Sequence, residues 1–347
     1  MNPNPFTMTF GIEPKLPVAR AKEAKELVDN FTSSEPSNYV YLITGPRGSG
    51  KTVLLSAVSN ALSKRGDWIA IDPGAKDNLL ENIASEIYET TNAKKIFLKG
   101  EFSFSFHGIT FALKGKEVAL TPQSLIKKMV RCLNEKGKGV LITIDEVDNS
   151  QEMKYFVQTY ESLIRQNCKI ALLMTGLYEN ISKLQDDKAL TFLYRAPKIF
   201  LSPLNINAIA LNYKTHLGVS ENKALELAKF THGYAYAYQT LGYLLYQNNL
   251  KDLTPEILCL FDQYMADYVY DKILSGASDN EQKILFSFKG NESFKVEELR
   301  KEGGWDSKAF SVYRDRLIKK GILESPKYGY LRFVLPRFYE YLITKSE

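Results

Sequence analysis

Eight consecutive residues carry the pattern with the most specific chemistry in this sequence. Residues 45–52 match G-x-x-x-x-G-K-[ST] at every fixed position. Its glycines allow positive φ, so that backbone N–H groups can turn inward and surround phosphate oxygens. Lys51 can reach the β- and γ-phosphates, and the Thr52 hydroxyl can take one Mg²⁺ position. The pattern predicts binding of ATP or ADP with Mg²⁺, and a chance glycine-rich turn is the alternative. The octet consists of Gly45, Pro46, Arg47, Gly48, Ser49, Gly50, Lys51 and Thr52.

Two adjacent carboxylates follow an apolar run. Residues 140–144 have the composition of a buried strand, and Asp145 and Glu146 come directly after it. Ligands of open α/β sheets bind beyond the carboxyl ends of the strands. We expect Asp145 to hold Mg²⁺ through its water shell and Glu146 to orient and deprotonate an attacking water. The alternative is that the two acids only open a solvated loop.

Two polar residues further along the chain could complete such a site. Thr175 follows the apolar run at residues 170–174, where its hydroxyl could bond a γ-phosphate or the attacking water. Arg195 precedes the last predicted strand and could offer its guanidinium to a γ-phosphate in a neighbouring subunit, which would require a homo-oligomer. A plain turn residue and a surface arginine are the respective alternatives.

The surrounding elements fit a site of this kind. Short apolar runs predict strands, and the segments between them predict helices, the first of which starts inside the glycine-rich loop. Strands that are apolar on both faces and separated by helices predict an α/β fold with a parallel sheet covered on both sides, as in P-loop NTPases. The predicted strands are residues 38–44, 68–71, 140–144, 170–174 and 199–201, and the predicted helices between them are 52–64, 78–91 and 121–134.

Three segments depart from this alternation. Phenylalanines alternate with serines before a glycine turn within residues 102–113, which predicts a β-hairpin inserted at about 96–118 in a core domain of residues 1–203. Residues 204–275 contain helical patterns at 207–217, 221–231 and 235–247 and predict a helical lid. Residues 276–347 show three short helices followed by two strand-like runs around a turn, which is the order of a winged helix-turn-helix.

Composition narrows the class of protein only slightly. The 347 residues carry a formal charge of +5, which permits a nucleic-acid partner without indicating one. Three widely spaced cysteines form no C-x-x-C pair, so neither a disulfide framework nor a zinc site is predicted. The chain shows no apolar run long enough for a membrane span and no secretory signal pattern. We therefore expect a cytoplasmic protein with no membrane partner.

At this point the sequence resembles a known family, the AAA+ P-loop ATPases, and within it the archaeal-type ATPases similar to origin-recognition and cell-division-control proteins and bordering on STAND NTPases. The resemblance implies a Mg²⁺-dependent ATPase that is slow, with Val18 and Arg20 near the adenine. Ala19 and Ala235 depart from the family's glycine and proline, and the lid lacks the arginine of many members. The resemblance rests first on residues 45–52 and on residues 141–146, which correspond to the Walker A and Walker B motifs. The other segments that carry it are Pro17-Val18-Ala19-Arg20, Tyr194-Arg195-Ala196 and Thr231-His232-Gly233-Tyr234-Ala235-Tyr236 with Gln239 and Gly242.

If ATP binding and hydrolysis switch the protein between two states, three downstream roles of the switch remain open. The winged helix could bind duplex DNA through residues 306–332. Its recognition segment, residues 306–321, carries five basic and two acidic residues. It could instead be an internal packing module of a STAND-like signalling ATPase that does not touch DNA. The third alternative is that the hairpin at residues 102–113 docks another protein.

Overall fold

The computed structural model describes residues 3–8, 18, 20–74, 77–90, 93, 95–97, 102–105, 110–113, 116–290 and 293–346. The chain divides into two compact units, which we call the sheet unit and the lid unit. The sheet unit comprises Arg20–Thr44 and Lys51–Phe200, and the lid unit comprises Met1–Ala19, Gly45–Gly50 and Leu201–Glu347. The eight-residue pattern therefore passes from one unit to the other between Gly50 and Lys51.

Helices and strands alternate through the first two hundred residues. The described strands are β1 (Val40–Thr44), β2 (Trp68–Ile71), β3 (Phe102–Ser105), β4 (Thr110–Leu113), β5 (Lys116–Ala119), β6 (Gly139–Ile144), β7 (Ile170–Gly176), β8 (Lys198–Phe200), β9 (Phe294–Lys295), β10 (Leu323–Glu324) and β11 (Tyr330–Phe333). The described α-helices are α1 (Ala21–Thr32), α2 (Lys51–Arg65), α3 (Leu79–Glu89), α4 (Pro122–Glu135), α5 (Gln151–Ile164), α6 (Tyr178–Gln185), α7 (Thr191–Tyr194), α8 (Ile206–Leu217), α9 (Glu221–Phe230), α10 (Ala235–Gln247), α11 (Pro255–Met265), α12 (Asp271–Ser275), α13 (Asp279–Leu285), α14 (Val296–Glu302), α15 (Ser307–Lys319) and α16 (Phe338–Ser346). Among these, no helix combines the length and the apolar composition that a bilayer crossing needs.

A five-stranded parallel sheet organises the sheet unit. Its strand order is β2-β6-β7-β1-β8, and every pair of neighbours runs parallel. Strands β6 and β7 are buried along their whole length, because apolar side chains on both faces pack under helices. The predicted α/β fold with a parallel sheet is confirmed. All five carboxyl ends lie at one edge of this sheet, where its polar residues collect.

Side-chain caps fix where the helices of the sheet unit begin. The Ser150 hydroxyl accepts the N–H of Met153 at the start of α5, and the Thr121 hydroxyl accepts the N–H of Ser124 at the start of α4. A carboxylate of Glu152 in α5 accepts the Leu79 N–H at 2.6 Å, so that α5 also caps α3. The first two bonds fix where a helix begins, and the third joins α3 to α5.

The alternating segment forms a small antiparallel sheet. Strand β3 pairs with β4 in antiparallel register, as the alternation predicts, and β4 pairs with β5, a strand that the sequence analysis did not predict. The predicted turn at residues 106–109 lies outside the described residues. The role of the hairpin at residues 102–113 as a docking site for another protein remains a prediction.

The lid unit is helical around a continuous apolar core. Helices α8, α9 and α10 occur where the sequence predicts them, and α11 was missed. Phe6, from the start of the chain, is 2% exposed and packs against Tyr213, Tyr238 and Gly242, so closely that a Cβ on Gly242 would lie 2.4 Å from the Phe6 ring. The N-terminal segment is therefore part of this core.

The C-terminal segment joins helices to a second antiparallel sheet. Helices α13, α14 and α15 precede strands β10 and β11, and the strand order β10-β11-β9 places the unpredicted short strand β9 at the other edge. This order is compatible with a winged helix. Apolar residues of α15, β10 and β11 share one cluster with those of the lid helices, so the packing is continuous across both segments.

Candidate active site

The glycine-rich loop has the backbone that the pattern predicts at two of its three glycines. Gly48 has φ of 77° and Gly50 has φ of 91°, values that L-residues rarely adopt. Gly45 is different from the prediction, because it has no positive φ. A Cβ at Gly45 would instead lie 2.8 Å from the Ser49 hydroxyl, so close approach is the reason for glycine here.

Helix α2 begins at Lys51, directly after the loop, and Thr52 is its second residue. The Thr52 hydroxyl donates to Oδ2 of Asp145 at 2.6 Å. Asp145 is the residue after strand β6, so this bond joins the first turn of α2 to the carboxyl end of the sheet. Both groups supply hard oxygen atoms of the kind that Mg²⁺ prefers. The donor set at this point therefore fits the predicted metal.

Thr175 lies beside Asp145 because β7 is the neighbour of β6 in the sheet. Ile144 pairs with Met174, which brings the next residue of each strand together. The buried Thr175 hydroxyl donates to Oδ1 of Asp145, and it accepts the backbone N–H of Glu146 at 3.3 Å. The structure thus brings together the predicted residues Thr52, Asp145, Glu146 and Thr175.

Glu146 has an unusual backbone for its residue type. Its φ is 54°, in the left-handed region, which costs an L-residue about 1–2 kcal/mol. Its N–H donates to Oδ1 of Asp145 at 3.0 Å as well as to Thr175, and the N–H of Val147 donates to the Thr175 carbonyl at 2.9 Å. These bonds hold the strained turn, and the Glu146 side chain is exposed.

A third carboxylate at this edge of the sheet escaped the sequence analysis. Asp72 follows β2, the strand beside β6, and its N–H donates to a carboxylate oxygen of Glu86 at 2.8 Å. Partial burial, followed by the negative charge of Asp145, raises the pKa of Asp72. Burial likewise raises the pKa of Glu86. The sequence signal was present, since Asp72 follows an apolar strand just as Asp145 does.

Three further predicted residues have these local surroundings. Arg195 is exposed and is the C-cap residue of α7. Arg20 precedes α1 and pairs with Glu23 at 3.6 Å, and burial lowers the pKa of its guanidinium. Val18 is buried in the core of the lid unit. The neighbours Pro17 and Ala19 lie outside the described residues.

Within the lid unit, the segment before and into α10 contacts the glycine-rich loop. The Tyr236 N–H donates to the Gly48 carbonyl at 3.1 Å. The Tyr234 side chain reaches the same glycine, and a Cβ there would lie 2.7 Å from its hydroxyl oxygen. The segment that carries the resemblance to family lids thus touches the loop directly.

Basic side chains of α15 fall into two groups. Lys308, Arg316 and Lys319 are exposed. In contrast, Lys320 forms an ion pair with the buried Glu281 at 2.8 Å, and Arg314 forms one with Asp315 at 2.7 Å. Lys308 near the start of α15 and Arg316 and Lys319 near its end therefore present their charges to solvent, whereas the charges of Arg314 and Lys320 are paired.

Comparison with known proteins agrees with this geometry. Residues 17–165 match the model of an AAA ATPase domain, and residues 267–342 match a domain of unknown function, DUF8462. A search of curated proteins found no match. Two solved structures of similar fold are the Walker-type ATPase PABY2304 of Pyrococcus abyssi and the ORC2 protein of Aeropyrum pernix in ADPNP-ADP complexes.

These two structures extend the similarity over nearly the whole chain. The Pyrococcus protein is 17% identical, with 94% of this chain and 96% of that chain covered and a TM-score of 0.65. The Aeropyrum protein is 15% identical, with 97% and 96% covered and a TM-score of 0.60. At such identities the likeness concerns the fold. Residues 17–165 thus match an AAA ATPase domain, and over nearly its whole length the chain has the same fold as these two proteins.

Proposed function

We propose that the protein is a Mg²⁺-dependent ATPase that acts as a nucleotide switch. The observation that carries the proposal is the Asp145 carboxylate, which is bonded at once to the Thr52 hydroxyl at the start of α2 and to the Thr175 hydroxyl on β7. Thr52 and Asp145 would hold Mg²⁺, directly and through water respectively. The ion would supply positive charge to the β- and γ-phosphates.

Other groups of the protein bind the phosphates, activate the water and position the carboxylates. Backbone N–H groups of residues 45–52 and the Lys51 ammonium bind the phosphates. Glu146 orients the attacking water and accepts its proton, which requires a carboxylate close to the metal but not bound to it. Thr175 keeps Asp145 and the Glu146 backbone in place through its hydroxyl. If the exposed Arg195 contacts a γ-phosphate bound by a neighbouring subunit, hydrolysis requires a second copy of the chain.

Binding and hydrolysis can be tested separately. We expect Lys51→Ala to weaken binding of a fluorescent ATP analogue severely, and unchanged affinity would remove the central claim. Glu146→Gln should keep ATP binding and lower turnover by about 10² or more. Asp148→Asn is the matched control, because this exposed acid lies in the same loop and accepts the N–H of Ser150. Equal turnover in all three forms would place the base elsewhere.

We propose that the conformational change caused by the nucleotide is transmitted to the C-terminal segment. Support comes from the loop itself, since Gly48 bonds to Tyr236 at the start of α10 and Pro46 packs against Gly321 just after α15. A change of the loop on nucleotide binding or hydrolysis would alter both contacts. This arrangement favours a role for α15 that depends on the nucleotide.

A second candidate activity is binding of duplex DNA. It is favoured by the exposed Lys308, Arg316 and Lys319, because basic side chains that a recognition helix presents to solvent can bind DNA phosphates. The buried pair of Lys320 with Glu281 favours the signalling alternative, in which the segment is a packing module. The salt dependence of DNA binding separates the two.

A further inference from the structure

The side chain of Tyr234 has a feature that its place in the fold does not explain. The residue is 3% exposed, and its hydroxyl makes no hydrogen bond within the described part of the chain. Buried hydroxyl groups are nearly always paired, because leaving one unpaired gives up its bonds to water without replacement. The neighbouring buried tyrosine Tyr213 follows the rule, since its hydroxyl donates to the Tyr238 carbonyl at 2.7 Å.

The unpaired hydroxyl faces the phosphate-binding loop. A Cβ on Gly48 would lie 2.7 Å from the Tyr234 oxygen and 2.9 Å from Cβ of Tyr236, so no other residue type fits between them. Tyr234 is the N-cap of α10, a helix of 13 residues whose positive end therefore points toward the loop. The Tyr236 N–H in its first turn already bonds the Gly48 carbonyl.

Local electrostatics keep this hydroxyl a donor. Burial raises the pKa of Tyr234 well above its usual value, although the nearby Arg47 acts in the opposite direction. The group is therefore a neutral O–H at any working pH. A neutral donor beside a glycine-rich loop suits an anionic oxygen as its acceptor, because hydrogen bonds to charged groups are the stronger ones.

We propose that the Tyr234 hydroxyl donates a hydrogen bond to a phosphate oxygen of the bound nucleotide and so serves as the phosphate contact of the lid. It does this in a lid that lacks the arginine found in many AAA+ members. The inference rests on the proposed nucleotide site and assigns that site a residue from the segment at the start of α10. The orphan hydroxyl of the free protein then acquires its partner on binding.

The test is the substitution Tyr234→Phe, which removes one oxygen atom and keeps the ring. The affinities of fluorescent ATP and ADP analogues are measured together with the melting temperature of the nucleotide-free protein. We expect both analogues to bind about tenfold more weakly, the order expected for one hydrogen bond to a charged acceptor. The melting temperature should not fall, because the free protein loses no hydrogen bond.

Tyr213→Phe is the matched control, since it also removes a hydroxyl from a buried tyrosine of the lid unit. It should lower the melting temperature and leave affinity unchanged. If wild type binds, Lys51→Ala does not, and Tyr234→Phe binds as wild type does, the Tyr234 inference is wrong while the nucleotide site stands. If wild type itself fails to bind either analogue, the proposed function fails first.

Discussion

Gly321, the second residue after α15, lies against Pro46 in the phosphate-binding loop. A Cβ at Gly321 would come within 2.6 Å of Cδ of Pro46, and Gly321 has φ of 74°. Glycine is therefore required here for two independent reasons, the left-handed backbone and the proximity of a rigid ring. The contact joins the end of α15 to the glycine-rich loop. The helix is proposed to bind DNA or to serve as a packing module, and the loop is proposed to bind phosphate.

Substitution of Gly321 by alanine should affect nucleotide binding as well as stability. The left-handed backbone alone should lower the free energy of unfolding by about 1–2 kcal/mol. The new methyl group must also displace the Pro46 ring, so we expect affinity for an ATP analogue to fall several-fold. Isothermal titration and thermal melts measure the two effects.

Gly329 provides the control for that experiment. It has nearly the same backbone, with φ of 76°, but among the described residues no atom beyond its chain neighbours lies within 4 Å of a Cβ placed there. Gly329→Ala should therefore cost similar stability and leave nucleotide affinity unchanged. Equal affinity in Gly321→Ala and Gly329→Ala would show that the contact with Pro46 does not influence the loop.

Removing the hydroxyl of Thr175 should reduce turnover more than it reduces binding. Thr175→Val keeps the shape of the side chain but takes away the donor to Asp145 and the acceptor for the Glu146 N–H. We expect ATPase rates to fall by about tenfold or more, the scale of one lost bond to a charged group. Thr143→Val is the control on the adjacent strand, where the buried hydroxyl donates to the Ile71 carbonyl. Equal rates in both variants would leave Thr175 without a role in positioning.

The buried pair of Glu281 and Lys320 predicts a pH dependence of stability. Burial alone would raise the pKa of Glu281, but hydrogen bonds from Lys320 and Ser278 and the charge of Lys320 outweigh it, so the pKa is lowered. A carboxylate with a lowered pKa stabilises the folded protein above its unfolded pKa of about 4.3, and this stabilisation is lost as pH falls through the folded pKa.

Urea unfolding between neutral and acidic pH checks that prediction. Glu281→Gln should be less stable than wild type at pH 7, and the difference should shrink as pH falls below about 4.3. Lys320→Met should cost about 3–5 kcal/mol at pH 7, because it leaves a buried charge without its partner. Glu221→Gln removes the same charge from an exposed pair with Lys214 and should change little. A pH-independent effect of Glu281→Gln would contradict the assignment.

Binding of random duplex DNA at several salt concentrations decides between the DNA and signalling alternatives. If α15 contacts phosphates, affinity should fall steeply with salt, and Arg316→Ala with Lys319→Ala should reduce the slope by about two units. The control pair Lys22→Ala with Lys25→Ala removes the same charge from exposed sites on α1. No binding at low salt, or equal slopes for the two double variants, would favour the packing module.

Local patterns were sufficient for the elements that carry the central chemistry. Residues 140–144 are apolar except for Thr143, a composition that favours a buried strand, and acids that follow such a strand emerge at the carboxyl edge of a parallel sheet. The same reasoning placed Thr175 directly after the strand at residues 170–174, and the register of β6 with β7 brings it beside Asp145. The same argument, applied to the strand at residues 68–71, would have identified Asp72.

Long-range packing explains most of what the sequence did not predict. The predicted strand starts at residue 140, yet β6 begins at Gly139. The lack of a side chain there accommodates the Trp68 ring, which would lie 2.8 Å from a Cβ at this position. Gly45 is likewise needed for close approach to Ser49 and not for its φ. The left-handed Glu146 depends on bonds to Asp145 and Thr175, which no local pattern encodes.

The burial of Phe6 bears on the order in which the chain can fold during synthesis. Its ring fills a space formed by Tyr213, Tyr238 and Gly242, which leave the ribosome more than two hundred residues later. The sheet unit, made from residues 20–44 and 51–200, is complete before those residues appear. Domains generally fold as their chain emerges. The segment around Phe6, together with Gly45–Gly50 of the phosphate-binding loop, must therefore wait for residues 201 onward before it reaches its final packing.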